Sequence, residues 1–180
     1  PRAGAAPSSR APPSPCPCSP APRAPRPSPR ALHPRARCLA SLADGTADAV
    51  ATDHAPHTAV DKETEFGLAA NGISGVETAF GVLLAAVAAG RLPLARAVAA
   101  LTVGPAAVLG ARSGRRGAGR GLVVGAPADL VVVDAGESWR VTSRALASRG
   151  KNTPLLGREL PGRIMLTVAQ GRLAYRDADA

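Results

Sequence analysis

Apolar residues form two kinds of pattern, and the chain changes from one to the other near residue 112. Before that point, the apolar run 47–52 predicts a short buried strand, which Pro56 brings to an end. Three later runs have helical spacing: about 75–89, 94–101 and 105–110. After it, short apolar runs between turn residues predict strands: 122–124, 129–134, 164–169 and 172–175. We therefore expect a strand-and-helix part over 39–112 and an all-strand part over 113–180.

The ends of the predicted helices carry recognisable residues. A helix is expected to end over Leu39–Ala43, because Asp44 and Gly45 form a typical turn pair. Ser74 and Glu77 have the spacing of a capping box, which predicts that the long helix begins beside them. One face of that helix should pack in the core: Val76, Phe80, Leu83, Leu84 and Val87.

Residues 1–38 have a different composition, rich in Pro, Arg, Ala and Ser. Repeated prolines remove backbone donors, and few large apolar side chains are present to bury. This segment is expected to be disordered, with His33 exposed to solvent. All three cysteines lie in it, at positions 16, 18 and 38, and we expect unpaired thiols because no second pair of metal ligands accompanies them.

The chain carries a formal net charge of +9, which raises the hypothesis of nucleic-acid binding. Its arginines are spread along the sequence and are not interleaved with aromatic residues, so the pattern does not favour that hypothesis. No stretch approaches the ~20 uninterrupted apolar residues of a membrane span. A cytoplasmic protein without a membrane or nucleic-acid partner is therefore expected.

The most informative chemistry lies in Asp53–Thr58, with the sequence Asp-His-Ala-Pro-His-Thr, directly after the predicted strand. In strand-helix barrels, catalytic groups converge at the carboxyl ends of the strands. A carboxylate placed there can ligate a metal ion, and it can take a proton from a metal-bound water. Asp53 is thus the candidate metal ligand and catalytic base, whereas His54 is expected to make structural hydrogen bonds.

A long loop is predicted over 53–73, and ordered loops of that length are commonly functional. The acidic residues outside it are expected to have structural roles. Asp48 and Asp129 are predicted turn or strand-end residues. Glu77 is predicted to act as a helix cap and nothing more.

The residues around this loop resemble those of dihydroorotases, members of the metal-dependent amidohydrolase superfamily. Asp53–Thr58 resembles the signature near the last barrel strand of that family. Further similarities follow in the same order along the chain: Glu65–Phe66 with Gly72–Thr78, Leu101–Ala106 with Leu109–Gly110, Gly125–Val131, and Lys151–Pro154. The resemblance covers about residues 40–176. It implies an α/β fold, the C-terminal part of a (β/α)8 TIM-type barrel over 39–112 followed by a small β-sandwich segment over 113–180.

The resemblance implies a cyclic amidohydrolase that interconverts dihydroorotate and N-carbamoyl-L-aspartate in de novo pyrimidine biosynthesis. The family uses a pair of zinc ions bridged by hydroxide. By this resemblance, Asp53 would ligate zinc and shuttle a proton from the attacking water to the ring nitrogen. His57 would hold the substrate carboxylate, and the backbone at Asn71 and Gly72 would line the substrate pocket.

Most of the family's metal ligands have no counterpart in this sequence. The family needs a His-x-His pair, a carboxylated lysine and two further histidines, but the chain has three histidines and lysines only at positions 62 and 151. Residues 1–38 stand where the family's substrate-binding segment is expected. We therefore expect an out-of-frame or truncated product, with family-like sequence resuming at about Cys38–Leu42, that does not catalyse the reaction alone.

Two alternative functions are open at this point. A hydantoinase or allantoinase of the same superfamily would share the fold, although the Ala-Pro-His-Thr and Lys-Asn-Thr-Pro strings favour a dihydroorotase. A noncatalytic dihydroorotase-like subunit that binds aspartate transcarbamoylase would explain the missing ligands equally well. The substrate of either enzyme would be a small cyclic amide.

Overall fold

The computed structural model describes residues 34–110 and 121–178, which belong to the unit His33–Ala180. This described part is mixed α/β. It contains five helices: α1 (Pro34–Asp44), α2 (Ala59–Lys62), α3 (Ala79–Ala88), α4 (Leu94–Leu101) and α5 (Val103–Leu109). It also contains three antiparallel strands in the order β1-β2-β3: β1 (Leu130–Arg140), β2 (Glu159–Ala169) and β3 (Arg172–Arg176).

The expectations for residues 1–33 lie outside the described residues, including those for His33, Cys16 and Cys18. Residues 34–38 are described and form the start of helix α1, so the expectation that these five residues are disordered is wrong. Cys38, within this helix, is a free, exposed cysteine as expected. Among the helices that the structure describes, none is both long and apolar enough to cross a membrane.

Helix α1 ends at the predicted turn and is held there by an arginine from α4. Gly45, with a φ of 87°, follows the last helical residue, Asp44. The Arg96 guanidinium donates from Nε to Leu42 O at 2.9 Å and from Nη2 to Ala47 O at 3.2 Å. These bonds satisfy carbonyls at and just beyond the helix end, and the cation interacts favourably with the negative end of the helix dipole.

The first core forms where α1, α3 and α4 meet. Its buried members are Leu42, Leu83, Ala86, Leu92, Ala97 and Ala100. Ala97 and Ala100 are 0% and 1% exposed, and such small side chains allow α4 to approach its neighbours closely. Leu83 and Leu84 of α3 are buried as predicted, but Val76 is 55% exposed because it precedes the helix.

Helix α3 begins at Ala79, later than predicted, and the expected capping box of Ser74 and Glu77 is wrong. A capping box forms instead at α2, between Thr58 and Asp61. Because a capping box depends on local backbone geometry as well as spacing, the sequence pattern alone did not distinguish the two sites.

The predicted strand 47–52 is also wrong. Its backbone groups bond to helices instead: the Val50 amide donates to Ala100 O at 2.9 Å. The Asp48 carbonyl lies directly against Gly104 of α5, where an added Cβ would be 1.8 Å from the carbonyl oxygen. A strand requires a neighbouring strand, and among the described residues this segment is packed against α4 and α5.

The hairpin of β2 and β3 turns at the predicted position. Gln170 and Gly171 both have positive φ, 53° and 74°, which suits the twist of a two-residue hairpin turn. Asp129 has the predicted strand-end role, since its Oδ1 accepts the Gln170 amide at 2.7 Å. Strand β1 extends six residues beyond the predicted run 129–134, through a bulge between Asp134 and Ser138.

Residues 122–124 do not form the predicted strand. They precede a turn in which the Ala126 amide donates to Val123 O at 3.1 Å, around Gly125 with a φ of 84°. Their apolar side chains are exposed, and no described strand lies beside them to form a ladder.

The sheet and helix α3 pack against each other. An added Cβ on Gly81 of α3 would lie 2.9 Å from Leu160 Cβ in β2, so the helix approaches the strand closely at this glycine. Leu160 belongs to a second core with Val141 and Leu146. The predicted domain boundary near residue 112 falls between residues 110 and 121, outside the described residues, and stays a prediction.

An ion-pair cluster fixes the end of the sheet. Arg163 donates to both carboxylate oxygens of Asp177, at 2.9 and 2.7 Å, and to Glu137 at 3.2 Å. The Tyr175 hydroxyl donates to the Asp177 carboxylate at 3.4 Å. Desolvation raises the pKa of Tyr175 above its ordinary value of 10.0, and the negative charge of Asp177 raises it further.

Substituting Gly104→Ala should strongly destabilise the protein. The new Cβ would meet the backbone carbonyl of Asp48, which cannot move like the end of a flexible side chain. We expect a loss of about 2–3 kcal/mol in the free energy of unfolding, the upper range for overpacking, measured by urea denaturation. Gly67→Ala is the matched control, because no atom lies within 4 Å of its added Cβ, and a loss of similar size there would contradict the explanation.

Tyr175 is the one tyrosine of the sequence, so ultraviolet absorbance can follow its ionisation directly. The folded protein should titrate with a midpoint above 10.0, and the midpoint should fall in concentrated urea. Because the unfolded chain loses this proton first, Tyr175 should lower stability as pH rises from about 10 through the raised folded pKa. Asp177→Asn should reduce the shift, whereas Glu159→Gln, in the exposed pair with Arg140, should leave it unchanged.

Candidate active site

Residues 53–58 lie against residues 71–74 through a single parallel bridge, between His54 and Ile73. The Ala55 amide also donates to Ile73 O at 2.9 Å. One bridge supplies few backbone hydrogen bonds, and side chains bond to several of the remaining amide and carbonyl groups. The four candidate site residues belong to these two segments: Asp53, His57, Asn71 and Gly72.

Asp53 has a backbone φ of 45°, in the left-handed region that few residues other than Gly, Asn and Asp occupy. Strained conformations of this kind cluster at functional sites, where the surrounding structure enforces them. The side chain is exposed, and no hydrogen bond or ion pair links its carboxylate to another described residue. Asp53 therefore does not close a turn within the described part of the chain, and its role as base and metal ligand stays a prediction.

His54 has the structural role that the sequence predicts. Its Nδ1 accepts the backbone amides of Gly75 and Val76, at 3.1 and 3.3 Å. Since Nδ1 accepts, the proton of the neutral ring lies on Nε2. His54 thus ties the Asp53–Thr58 segment to the residues that lead into α3.

The His57 side chain contacts a second predicted site residue. Its Nε2 lies 2.9 Å from the carbonyl oxygen of Asn71, fourteen positions further along the chain. A carbonyl can only accept, so Nε2 carries the proton in this bond. The structure therefore brings together the two segments that the resemblance assigns to substrate binding.

Gly72 stands at a position that only glycine fits. Its φ is 95°, and an added Cβ would lie 2.6 Å from Ala55 Cβ. The Gly72 carbonyl accepts the Lys62 ammonium at 2.6 Å, and the same ammonium bonds to Ala70 O. Lys62 on α2 thereby folds the loop back onto itself.

The capping box holds α2 in place. The Thr58 hydroxyl and amide donate to Asp61 Oδ2 at 2.6 and 2.9 Å, and Thr58 Oγ1 accepts the Asp61 amide at 3.3 Å. The bond from the Thr58 hydroxyl lowers the pKa of Asp61 the most, and the bond from the Thr58 amide comes next. Electrostatic interaction with the neighbouring His57 also lowers this pKa, by the smallest amount. Both ends of this short helix therefore serve to position the loop.

Asn152 is a site residue that the sequence patterns do not identify, although it lies in the Lys151–Pro154 segment that resembles dihydroorotases. Its Oδ1 accepts the His57 amide at 2.9 Å. Its Nδ2 donates to Ala55 O at 2.9 Å and to Gly72 O at 3.4 Å. Asn152 and His57 are 95 positions apart, so no local pattern could predict the contact.

Glu77 does not cap α3, contrary to the prediction. Its carboxylate accepts the backbone amides of Ala147 and Ser148, at 2.7 and 3.0 Å. A carboxylate can accept several bonds at once, and these amides lie in an irregular segment between β1 and β2. Glu77 and Asn152 therefore anchor this segment at two points.

The described residues do not by themselves fit a zinc pair. No group of three or more His, Cys, Asp or Glu residues within 34–110 and 121–178 is placed to hold a metal ion. Asp53 is a single carboxylate, and the rings of His54 and His57 already bond to backbone groups. A cavity of about 570 Å³ lies between α3 and the sheet, lined in part by Phe80 and Trp139, and none of the four candidate residues lines it.

None of the protein-family models that were compared matches the chain. The dihydroorotase of Anaeromyxobacter dehalogenans (strain 2CP-1) is 50% identical over 143 residues, covering 79% of this chain and 32% of that protein. The dihydroorotase of Syntrophus aciditrophicus (strain SB) is 45% identical over 136 residues, covering 76% of this chain and 30% of that protein. The chain thus spans about a third of the length of the curated relatives that it matches.

A solved D-hydantoinase (dihydropyrimidinase) from Thermus sp. has a similar fold, with a TM-score of 0.67 and 30% sequence identity. The match covers 78% of this chain and 31% of the hydantoinase. The resemblance found in the sequence is therefore confirmed: over about four fifths of its length this chain is homologous to dihydroorotases, and it corresponds to about one third of each.

Proposed function

We propose that this chain is the C-terminal part of a zinc-dependent cyclic amidohydrolase of the dihydroorotase type. Residues 39–112 would belong to a (β/α)8 barrel, and residues 113–180 to a small β-sandwich. The homology to dihydroorotases over 79% of the chain supports the proposal. The observation that carries it is the bond between His57 Nε2 and Asn71 O, because the resemblance assigns both residues to the substrate.

The proposed reaction is the reversible hydrolysis of dihydroorotate to N-carbamoyl-L-aspartate. The oxygen of a water molecule bonds to a ring carbonyl carbon, and the bond from that carbon to the ring nitrogen breaks. Asp53 takes a proton from the attacking water and returns it to the leaving nitrogen, so one carboxylate serves both steps. Its exposed side chain is accessible to a substrate.

His57 would hold the substrate carboxylate in this reaction. Its Nε2 proton is committed to Asn71 O, so Nδ1 must supply the donor to the substrate. Nδ1 carries a proton together with Nε2 only in the imidazolium form. His57 would therefore bind the substrate as a cation, which makes the hydrogen bond charge-assisted. The backbone at Asn71 and Gly72, held by Lys62, would form the adjacent wall.

Three parts of the proposal concern the whole enzyme. Asp53 is the one described residue proposed as a zinc ligand, and the remaining ligands would have to come from outside the described residues. Association with aspartate transcarbamoylase belongs to the noncatalytic alternative, and action in the cytoplasm is carried over from the sequence expectation.

A hydantoinase-type function is the second candidate, and the 30% identical D-hydantoinase structure favours it. The substrates of the two candidates differ in whether they carry a carboxylate. Dihydroorotate carries a carboxylate on its ring, whereas hydantoin and dihydrouracil do not. Only the first function gives a cationic His57 a substrate group to bind.

A chimera tests the proposal. The 143 matched residues of the Anaeromyxobacter dehalogenans dihydroorotase are replaced by their counterparts from this chain, and dihydroorotate hydrolysis is followed by absorbance. We expect turnover, and we expect Asp53→Asn to lower kcat by about 100- to 10,000-fold, the usual contribution of general acid–base catalysis. Asp48→Asn, which alters an exposed carboxylate five positions earlier, should leave kcat unchanged.

Other outcomes would separate the candidates. Turnover of hydantoin or dihydrouracil without turnover of dihydroorotate would support the hydantoinase function. An undiminished kcat in the Asp53→Asn chimera would contradict the catalytic role. The chain by itself, supplied with zinc, should not turn over dihydroorotate, and measurable turnover would overturn that expectation.

A further inference from the structure

Asn152 contacts both sides of the parallel bridge between His54 and Ile73. On one side, its carboxamide bonds to the His57 amide and to Ala55 O, both at 2.9 Å. On the other side, its Nδ2 donates to Gly72 O at 3.4 Å, and the main-chain carbonyl of Asn152 accepts the Ser74 amide at 3.2 Å. A single residue from the segment between β1 and β2 therefore joins the two halves of the candidate site.

The chemistry of these bonds requires a carboxamide. One partner is an amide N–H and the others are carbonyls, so the side chain must accept at one atom and donate at the other. An aspartate would keep the acceptor, but it would place a second oxygen against the carbonyls of Ala55 and Gly72. A glutamine would keep both functions and carry them one methylene further from its backbone.

The backbone on the N-terminal side of Asn152 is equally constrained. An added Cβ on Gly150 would lie 2.6 Å from His57 N and 2.7 Å from Pro56 C and Cα. Gly150 is buried, so this segment lies directly on the Pro56–His57 peptide. Backbone contact at Gly150 therefore places the segment that carries Asn152 against His57, in addition to the side-chain bonds of Asn152 itself.

We propose that Asn152 is a positioning residue, which holds the His57 backbone and the Gly72 carbonyl at a fixed separation and so sets the width of the carboxylate-binding site. The proposal rests on the proposed function for its catalytic consequence. Lys62 holds Gly72 from the side of α2, but it makes no described bond to His57, so it cannot replace Asn152. Loss of the carboxamide should loosen His57 relative to Asn71 and leave Asp53 unaltered.

The first experiment uses the full chain and requires no activity. Long-range proton–nitrogen NMR spectra report which ring nitrogen of each histidine carries the proton, and the chain has only three histidines. In the unaltered protein, neutral His54 and His57 should both be protonated on Nε2. In Asn152→Ala, neutral His57 should become a mixture of two tautomers, one protonated on Nε2 and one on Nδ1. His54 should keep its signals, which would show that the fold is intact.

Two further variants keep this experiment decisive. Asn152→Asp retains the acceptor for the His57 amide, so it serves if the alanine variant does not fold, and it should give a smaller change at His57. Arg158→Ala alters an exposed side chain of the same segment and is the matched control. An unchanged His57 spectrum in both Asn152 variants would overturn the positioning role.

The second experiment measures kinetics in the chimera. Because the site holds the substrate carboxylate, Asn152→Ala should raise KM for dihydroorotate about 10-fold, equivalent to about 1.4 kcal/mol, with kcat within about threefold. Arg158→Ala should change neither constant. A fall in kcat at constant KM, or no change in either, would overturn the positioning role while the proposed function stands. A chimera that turns over no substrate before any substitution would overturn the proposed function, and the catalytic part of this proposal with it.

Discussion

Three consecutive carbonyls, at positions 70, 71 and 72, are each bonded by a side chain from elsewhere in the fold. Lys62 bonds to the first, His57 to the second, and Lys62 together with Asn152 to the third. The bond to the Ala70 carbonyl is partly buried, and a backbone group in such a place needs a partner, whereas the bonds to Asn71 and Gly72 are exposed. The described segments share one parallel bridge, so a regular ladder does not supply them. The geometry of the candidate site therefore depends on hydrogen bonds from side chains at positions where a sheet would supply backbone hydrogen bonds.

This arrangement depends on glycines, which have no Cβ at the points where two segments contact each other. Gly72 and Gly150 both lie where a Cβ would overlap the Ala55–His57 stretch: Gly72 against the Ala55 side chain, and Gly150 against the backbone of Pro56 and His57. The segment that carries Asn152 is held further by Glu77, which bonds to its beginning. Backbone from residues 72 and 150 therefore packs closely against the start of the candidate catalytic loop, residues 53–73. The carboxylate of Asp53, whose backbone φ is 45°, is exposed to solvent.

Features with local signals could be predicted from the sequence, and features that depend on distant partners could not. The start of α4 after Pro93 and the turn at Gln170–Gly171 each follow from a few adjacent residues. The run 47–52 has the composition of a strand, but it packs on helices because pairing is decided by neighbours that a local pattern does not contain. Asn152 was missed for the same reason, since its partners lie up to 97 positions away.

The sequence contains one tryptophan and one tyrosine, and both line the cavity between α3 and the sheet. The candidate catalytic loop has no such residue near its polar groups, because Phe66 is its one aromatic side chain and is 99% exposed. Intrinsic fluorescence of this chain therefore reports on the sheet and its junction with α3, and it is silent about the loop. A loop that loosened while the sheet stayed folded would leave the emission spectrum unchanged.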